Sequence, residues 1–256
     1  SDVRGFTTIS EALSPEKLTS ILNEYFTPMT KIILDSNGLL DKYIGDAIMA
    51  VWGAPIPMEN HADKAVASSL KMLDELEVLQ KKWKSENLPF LDIGIGLNTG
   101  DMVVGNMGSD QRFDYTVLGD AVNLGARLEG INKNYGTRII CSEFTKNALK
   151  EPHKFIFREL DNIQVKGKNE PVRIFEIMRF KEMDRQKALE LVRLFEEGLA
   201  LYRAQNWKEA IHKFKEAIRM NDGKDPPSEE FIERCNYLKE KGLEKDWNGV
   251  WVFKTK

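Results

Sequence analysis

The chain has 256 residues, 42% of them apolar and 30% charged, with a formal net charge of −3. That balance fits one large or two modest globular domains with a substantial core and excludes a disordered or fibrous chain. Basic residues are spread along the sequence rather than gathered, which argues against a nucleic-acid partner, and no apolar run approaches the roughly 20 residues of a membrane span.

The opening segment, Ser1-Asp2-Val3-Arg4-Gly5-Phe6-Thr7, sets a carboxylate beside glycine-containing backbone. Asp2 stands too near the start for a strand to precede it, so further upstream sequence is expected, although no signal-like start is visible. Ser14-Pro15-Glu16-Lys17 starts a helix, with serine as cap and proline in the first turn. Leu18, Ile21, Leu22, Tyr25, Phe26, Met29, Ile32 and Ile33 then form one apolar face, and Asn37-Gly38 ends it. Strands are predicted over 39–44 and 47–52 around Gly45-Asp46, a hairpin signal. Asp46 in this apolar hairpin is costly unless a cation or donor compensates it. Asp2 and Asp46 brought together by adjacent strands make an oxygen-ligand site for Mg²⁺ on a polyphosphate.

A second long helix is predicted over about 60–86, with Ala65, Ser69, Met72, Leu76 and Leu79 inward. The stretch 91–98 reads as a strand whose glycines imply close approach of another element. Met102 to Gly105 is expected as its antiparallel neighbour across Thr99-Gly100-Asp101. A helix over 119–134, a strand over 137–141, a short helix over 143–150 and a strand pair, 155–166 with 171–178 around Lys166-Gly167-Lys168, complete an α+β order. Near residue 180 helical patterns take over. Phe195, Gly198, Tyr202, Trp207, Ala210, Phe214 and Ala217 follow a tetratricopeptide-like spacing. One such unit cannot bury its own face, so it must pack on 228–241 or on the preceding domain. The aromatic tail, 246–253, is expected to dock. The expected division is 1–180 and 184–256.

Cys141 closes an apolar run and shares no motif with Cys235, which favours buried reduced thiols over a disulfide, in a reducing cytoplasm that holds ATP or GTP. His61, His153 and His212 lack ligand spacing, Lys81-Lys82-Trp83-Lys84 reads as a solvated helix end, Asp101 as a turn residue and Asp120 as an N-terminal cap.

The third informative segment is Phe113-Asp114-Tyr115-Thr116-Val117-Leu118-Gly119-Asp120-Ala121-Val122-Asn123-Leu124-Gly125-Ala126-Arg127. Asn123 and Arg127 lie one helical turn apart, placed either to meet a sugar and a phosphate or as ordinary surface residues. Ser1 to Thr7, Lys42 to Trp52, Leu97 to Gly100 and Tyr115 to Arg127 together resemble, in order and spacing, a class III nucleotidyl cyclase catalytic domain. The resemblance covers residues 1 to about 178. It implies a ferredoxin-like, palm-type, antiparallel-rich sheet with helices packed on it, followed here by a small all-α segment.

By this resemblance Asp2, Asp46 and the Val3 carbonyl hold two Mg²⁺ or Mn²⁺ ions, and the turn at Gly5, Phe6 and Thr7 receives the β- and γ-phosphates. Lys42 and Thr116 read the purine, Asn123 orients the ribose, and Arg127 neutralises the transferring α-phosphate. Lysine donates and threonine can accept, which complements adenine; guanine would call for a carboxylate at 42. The resemblance therefore implies an ATP cyclase making 3′,5′-cyclic AMP and pyrophosphate. It further implies a head-to-tail homodimer with sites shared between protomers, and, through threonine at 116, a bicarbonate-responsive subgroup. A guanylate cyclase, a catalytically silent cyclase-like module, and an interaction protein whose helical part recruits a protein partner are the alternatives. No membrane span belongs to this chain; any tether would lie upstream.

Overall fold

The computed structural model describes residues 1–164, 170–180, 185–242 and 247–252. A two-residue strand, β1 (Asp2–Val3), leads to a short helix, α1 (Phe6–Glu11), and a long one, α2 (Pro15–Asp35). The hairpin β2 (Leu39–Ile44) and β3 (Ala47–Val51) follows, then α3 (His61–Ser85) and β4 (Ile93–Leu97). A ribbon of β5 (Val103–Ser109) and β6 (Arg112–Leu118) precedes α4 (Asp120–Tyr135), β7 (Ile139–Ser142), α5 (Glu143–Ala148), β8 (Phe157–Gln164) and β9 (Val172–Ile177). Helices α6 (Arg185–Arg203), α7 (Trp207–Met220) and α8 (Pro226–Lys241) and a short strand β10 (Trp251–Val252) complete the order.

The central sheet runs β1-β4-β7-β9-β8-β10 and is mixed: β4 pairs with β7 in parallel and β10 with β8 in parallel, the other pairs being antiparallel. Side-chain alternation along the strands sends residues to opposite faces. Ile139 and Cys141 join α2 and α3 in one core, with Tyr25, Met29, Ile33, Val66, Leu73 and Trp83. Ile140 faces the other way, into a core with Leu124 and Leu128 of α4 and Phe195, Phe214 and Phe231 of the C-terminal helices. The helical segment therefore covers one face of the sheet.

Local signals account for the elements. The Ser14 side chain accepts from the Lys17 N–H, and the stripe Ile21, Tyr25, Met29 and Ile33 of α2 is buried. In α3, Ala65, Ser69, Met72 and Leu76 face inward as expected, and so does Trp83, whose indole donates to Glu24 at 2.9 Å. The lysines beside it are exposed, so only part of that run is solvated. Gly198 lets α6 and α7 close up, since a Cβ there would meet the Phe214 ring.

Two expectations are corrected. The partner of β5 is β6, in register from Val103 opposite Leu118 to Ser109 opposite Arg112, not β4. Both edges of β4 are taken, by β1 and β7, so no edge remains for a hairpin after it. The cap of α4 is Gly119, with no side-chain capping bond; Asp120 is the first helical residue. The turn at 166–168, the division near 181–184 and the ends of the tail lie outside the described residues. Within the tail, Trp247 packs on Tyr202 and Trp207, and Trp251 lies under the Arg234 guanidinium at 4.1 Å. Both cysteines are free and buried, and burial pushes their thiols up to about 12.

Candidate active site

Asp2 and Asp46 meet at one backbone amide. The Val3 N–H donates to Asp2 Oδ1 at 3.0 Å and to Asp46 Oδ2 at 3.2 Å. Two elements fix this convergence. Ser1 exchanges backbone hydrogen bonds with Ile48 at 2.8 and 2.9 Å, tying β1 to β3, while Asp2 pairs with Gly94 of β4. Asp46 occupies the second place of a two-residue hairpin loop whose first residue, Gly45, has φ 63°. A first glycine at positive φ is what a tight hairpin of this length demands. Burial, and then the neighbouring Asp2 carboxyl, push the Asp46 carboxyl up to about 6. Two half-buried carboxyls set this close, with ionisation of Asp46 penalised, form an arrangement that a cation would relieve. No cluster of three or more His, Cys, Asp or Glu ligands exists among the described residues, so the chain offers a divalent ion two carboxylates and backbone oxygen. That is the donor set with which Mg²⁺ on a polyphosphate is commonly held.

Lys42 and Thr116, far apart in sequence, are brought together by β2 and β6. Lys42 is half-exposed and Thr116 buried. Between them sits Asp41, a residue that the sequence reading passes over. Its Oδ2 accepts from the Thr116 hydroxyl at 2.7 Å and from the Val117 N–H at 3.4 Å. Its Oδ1 lies 3.3 Å from the Lys42 ammonium but has no hydrogen bond of good angle among the described residues, so that contact is an ion pair. A charged pair Asp-Lys inside an apolar strand was the available signal.

Helix α4 carries Asn123, exposed, and Arg127, half-buried. Arg127 Nη1 is buried without a hydrogen-bond partner among the described residues. A guanidinium held this way is a donor in want of an acceptor. The glycines of β4 meet the expectation of close approach: a Cβ on Gly96 would strike the backbone of Gly125 and Glu129, so α4 lies directly on β4. Asn98 pins its start, donating to the Ala121 carbonyl at 2.8 Å and accepting from Ser142 at 2.6 Å. Gly5 stands at φ 62° as the cap of α1, ahead of Phe6 and Thr7, whose amides begin that helix.

A cleft of about 890 Å³ is lined by Asp2, Gly96, Asn98, Thr99, Val117 and Glu129 among others. Asp46, Lys42, Thr116, Asn123 and Arg127 are not among its lining residues, although Val117, Val122 and Ala126 beside three of them are. Exposed apolar side chains lie on β2 and on the ribbon: Ile44, which also lines the cleft, and Val103, Phe113 and Leu118, each more than half exposed. The three histidines join no ligand cluster among the described residues.

The profile of the adenylate and guanylate cyclase catalytic domain matches residues 1–179. The chain is 37% identical over 181 residues to the adenylate cyclase of Anabaena cylindrica, covering 69% of this chain and 35% of that protein. It thus spans about a third of that relative's length. Among solved structures, it resembles the adenylyl cyclase CyaB of P. aeruginosa, with a TM-score of 0.64, 36% identity, and coverage of 70% of this chain and 90% of that one. The guanylyl cyclase Cya2 is similar at a TM-score of 0.63 and 36% identity, over 69% of this chain and 87% of that one.

Proposed function

The chain belongs to the family of adenylate and guanylate cyclase catalytic domains, and from that membership we propose that it converts ATP to 3′,5′-cyclic AMP and pyrophosphate. The observation that carries the proposal is the convergence of Asp2 and Asp46 on the Val3 amide. These two carboxylates, with the Val3 carbonyl, would hold two Mg²⁺ or Mn²⁺ ions, which when bound lower the pKa of the attacking 3′-hydroxyl and neutralise the triphosphate. The amides at Gly5, Phe6 and Thr7 meet the β- and γ-phosphates. The buried Arg127 donor faces the charge that grows as the 3′-hydroxyl attacks the α-phosphorus and pyrophosphate departs, a role worth about 10³-fold or more in phosphoryl transfer. Asn123, one turn away, orients the ribose. Lys42 donates to adenine N1, and Thr116 accepts from the 6-amino group.

The site is completed by a second copy. Lys42, Thr116, Asn123 and Arg127 do not line the cleft that Asp2 lines, and the exposed apolar residues of β2 and of the β5–β6 ribbon supply a surface for association. A head-to-tail homodimer closes two equivalent sites. Threonine at 116 extends the reading to bicarbonate stimulation, and the need for ATP to a cytoplasmic catalytic part. No described helix is long and apolar enough to cross a membrane. Residues 184–256 are read as a tetratricopeptide-like segment open to a protein partner.

The test is direct. Purified protein with Mn²⁺ or Mg²⁺ is given ATP or GTP, and cyclic nucleotide and pyrophosphate are measured. Cyclic AMP in excess of cyclic GMP is expected, and Lys42→Glu should erode that preference. Equal or greater use of GTP would overturn the assignment of ATP.

A further inference from the structure

Asp41 sits where β2 breaks its own regularity. Leu40 faces Ala50 and Lys42 faces Met49, so Asp41 has no residue opposite it in the ladder. A bulged residue is re-aimed relative to the alternation of its strand. Here the bulge carries the Asp41 side chain, with no exposure to solvent, across to β6, where it receives the Thr116 hydroxyl and the Val117 N–H. A bond that only tied β2 to β6 would be satisfied by the Val117 amide. The hydroxyl bond does something further. Threonine has one O–H proton, and a carboxylate accepts without donating. The proton of Thr116 is therefore committed to Asp41, and the hydroxyl has only lone pairs left to offer.

We propose that Asp41 is the positioning residue that sets purine selectivity, by fixing Thr116 as an acceptor and Lys42 as a donor toward the base. This rests on the adenylate-cyclase reading above. With Thr116 opposite position 6 and Lys42 opposite position 1, adenine meets both in the right sense: its amino group donates to Thr116, and its N1 accepts from Lys42. A 6-oxo purine reverses both signs, setting a carbonyl against the Thr116 lone pairs and an N–H against the ammonium. Lys42 keeps donors free for this task because its Asp41 contact is a single ion pair at 3.3 Å.

The experiment uses the full chain as Asp41→Ala, with kcat/KM measured for ATP and GTP. Alanine at 41 offers no acceptor, so the Thr116 hydroxyl proton is released toward the base, whereas asparagine could keep its carbonyl oxygen in the place of Oδ2 and go on accepting from Thr116 and Val117. The ATP:GTP ratio is expected to fall at least tenfold, since hydrogen-bond sense governs discrimination at sites built around polar groups. A proportional fall for both nucleotides, with the ratio unchanged, would leave Asp41 as a structural tie and overturn the proposal. Preference for GTP in the unsubstituted protein would instead overturn the underlying ATP reading. Should Asp41→Ala fail to fold, the unsubstituted chain still decides. Purine riboside triphosphate, which keeps N1 but lacks the 6-amino group, is expected to be at least tenfold poorer than ATP, and equal use of the two contradicts an acceptor-only Thr116.

Discussion

The two ends of the molecule treat buried charge in opposite ways. On the face covered by the C-terminal helices, ionised groups are closed against one another. Arg158 of β8 bonds Asp225 at 2.7 and 2.9 Å and Glu176 at 2.5 and 2.9 Å. Arg234 of α8 meets Asp161 at 2.6 Å, and Tyr135 of α4 donates to the same carboxylate at 2.6 Å. At the other end, Asp2 and Asp46 repel, and Arg127 Nη1 goes unmatched among the described residues. Charge paired inside the chain serves the fold. Charge left over is addressed to something outside it.

That contrast can be broken by substitution. The largest effect falls at the open end: Asp46→Ala or Asp2→Ala should lower kcat by roughly 10³-fold or more, the several kcal/mol a catalytic metal supplies, with little change in melting temperature. Arg127→Ala should cost about 10³-fold in kcat. Mixing it with Asp46→Ala should restore part of the turnover if sites are shared; no recovery from two variants that dimerise normally would count against sharing. At the closed end, Arg234→Ala leaves Asp161 uncompensated and should cost about 3–5 kcal/mol of stability, read by denaturant unfolding. A loss there of only a few tenths would mean the cluster is solvated in solution.

Two smaller effects sharpen the comparison through pH. A divalent ion must displace the Asp46 proton, so apparent Mn²⁺ affinity should fall about tenfold per unit below about pH 6, as calorimetric titration would record. The folded-state pKa of Asp46 lies above its ordinary 3.8. Between 3.8 and about 6 the native state therefore binds more protons than the unfolded one, and the metal-free protein should lose stability as pH rises through that window. Asp46→Asn removes this, raising metal-free stability by about 1 kcal/mol or less once solvent screening is allowed for. A destabilised Asp46→Asn would show that the carboxylate is structurally needed.

How much of this was legible followed the range of the interactions. The stripe of α2, the Gly45-Asp46 hairpin and the α4 turn holding Asn123 and Arg127 are local patterns, and local patterns read true. The glycines of β4 announced a close neighbour, though not that it is α4. The ribbon of β5 and β6 was misread because strand pairing is decided by which edges are already occupied, and β1 and β7 claim both edges of β4 from distant parts of the chain. Asp41 escaped notice because a bulge shows only once β2 is set against β3. The partnership of Arg234 with Asp161 joins two segments separated by β9, α6 and α7, and no periodicity predicts it. Asp46 stood out for the opposite reason: an acidic residue in an apolar hairpin is locally unexplained.

The central claim is that Asp2 and Asp46 together grip divalent cations beneath a nucleotide's phosphates. Mn²⁺ binding followed by electron paramagnetic resonance, with and without a non-cyclising ATP analogue, measures that grip apart from turnover. The unsubstituted protein should bind the ion, more tightly with the analogue, and Asp2→Ala and Asp46→Ala should each lose it while keeping their melting temperature. Unchanged Mn²⁺ spectra in both folded variants would contradict the account.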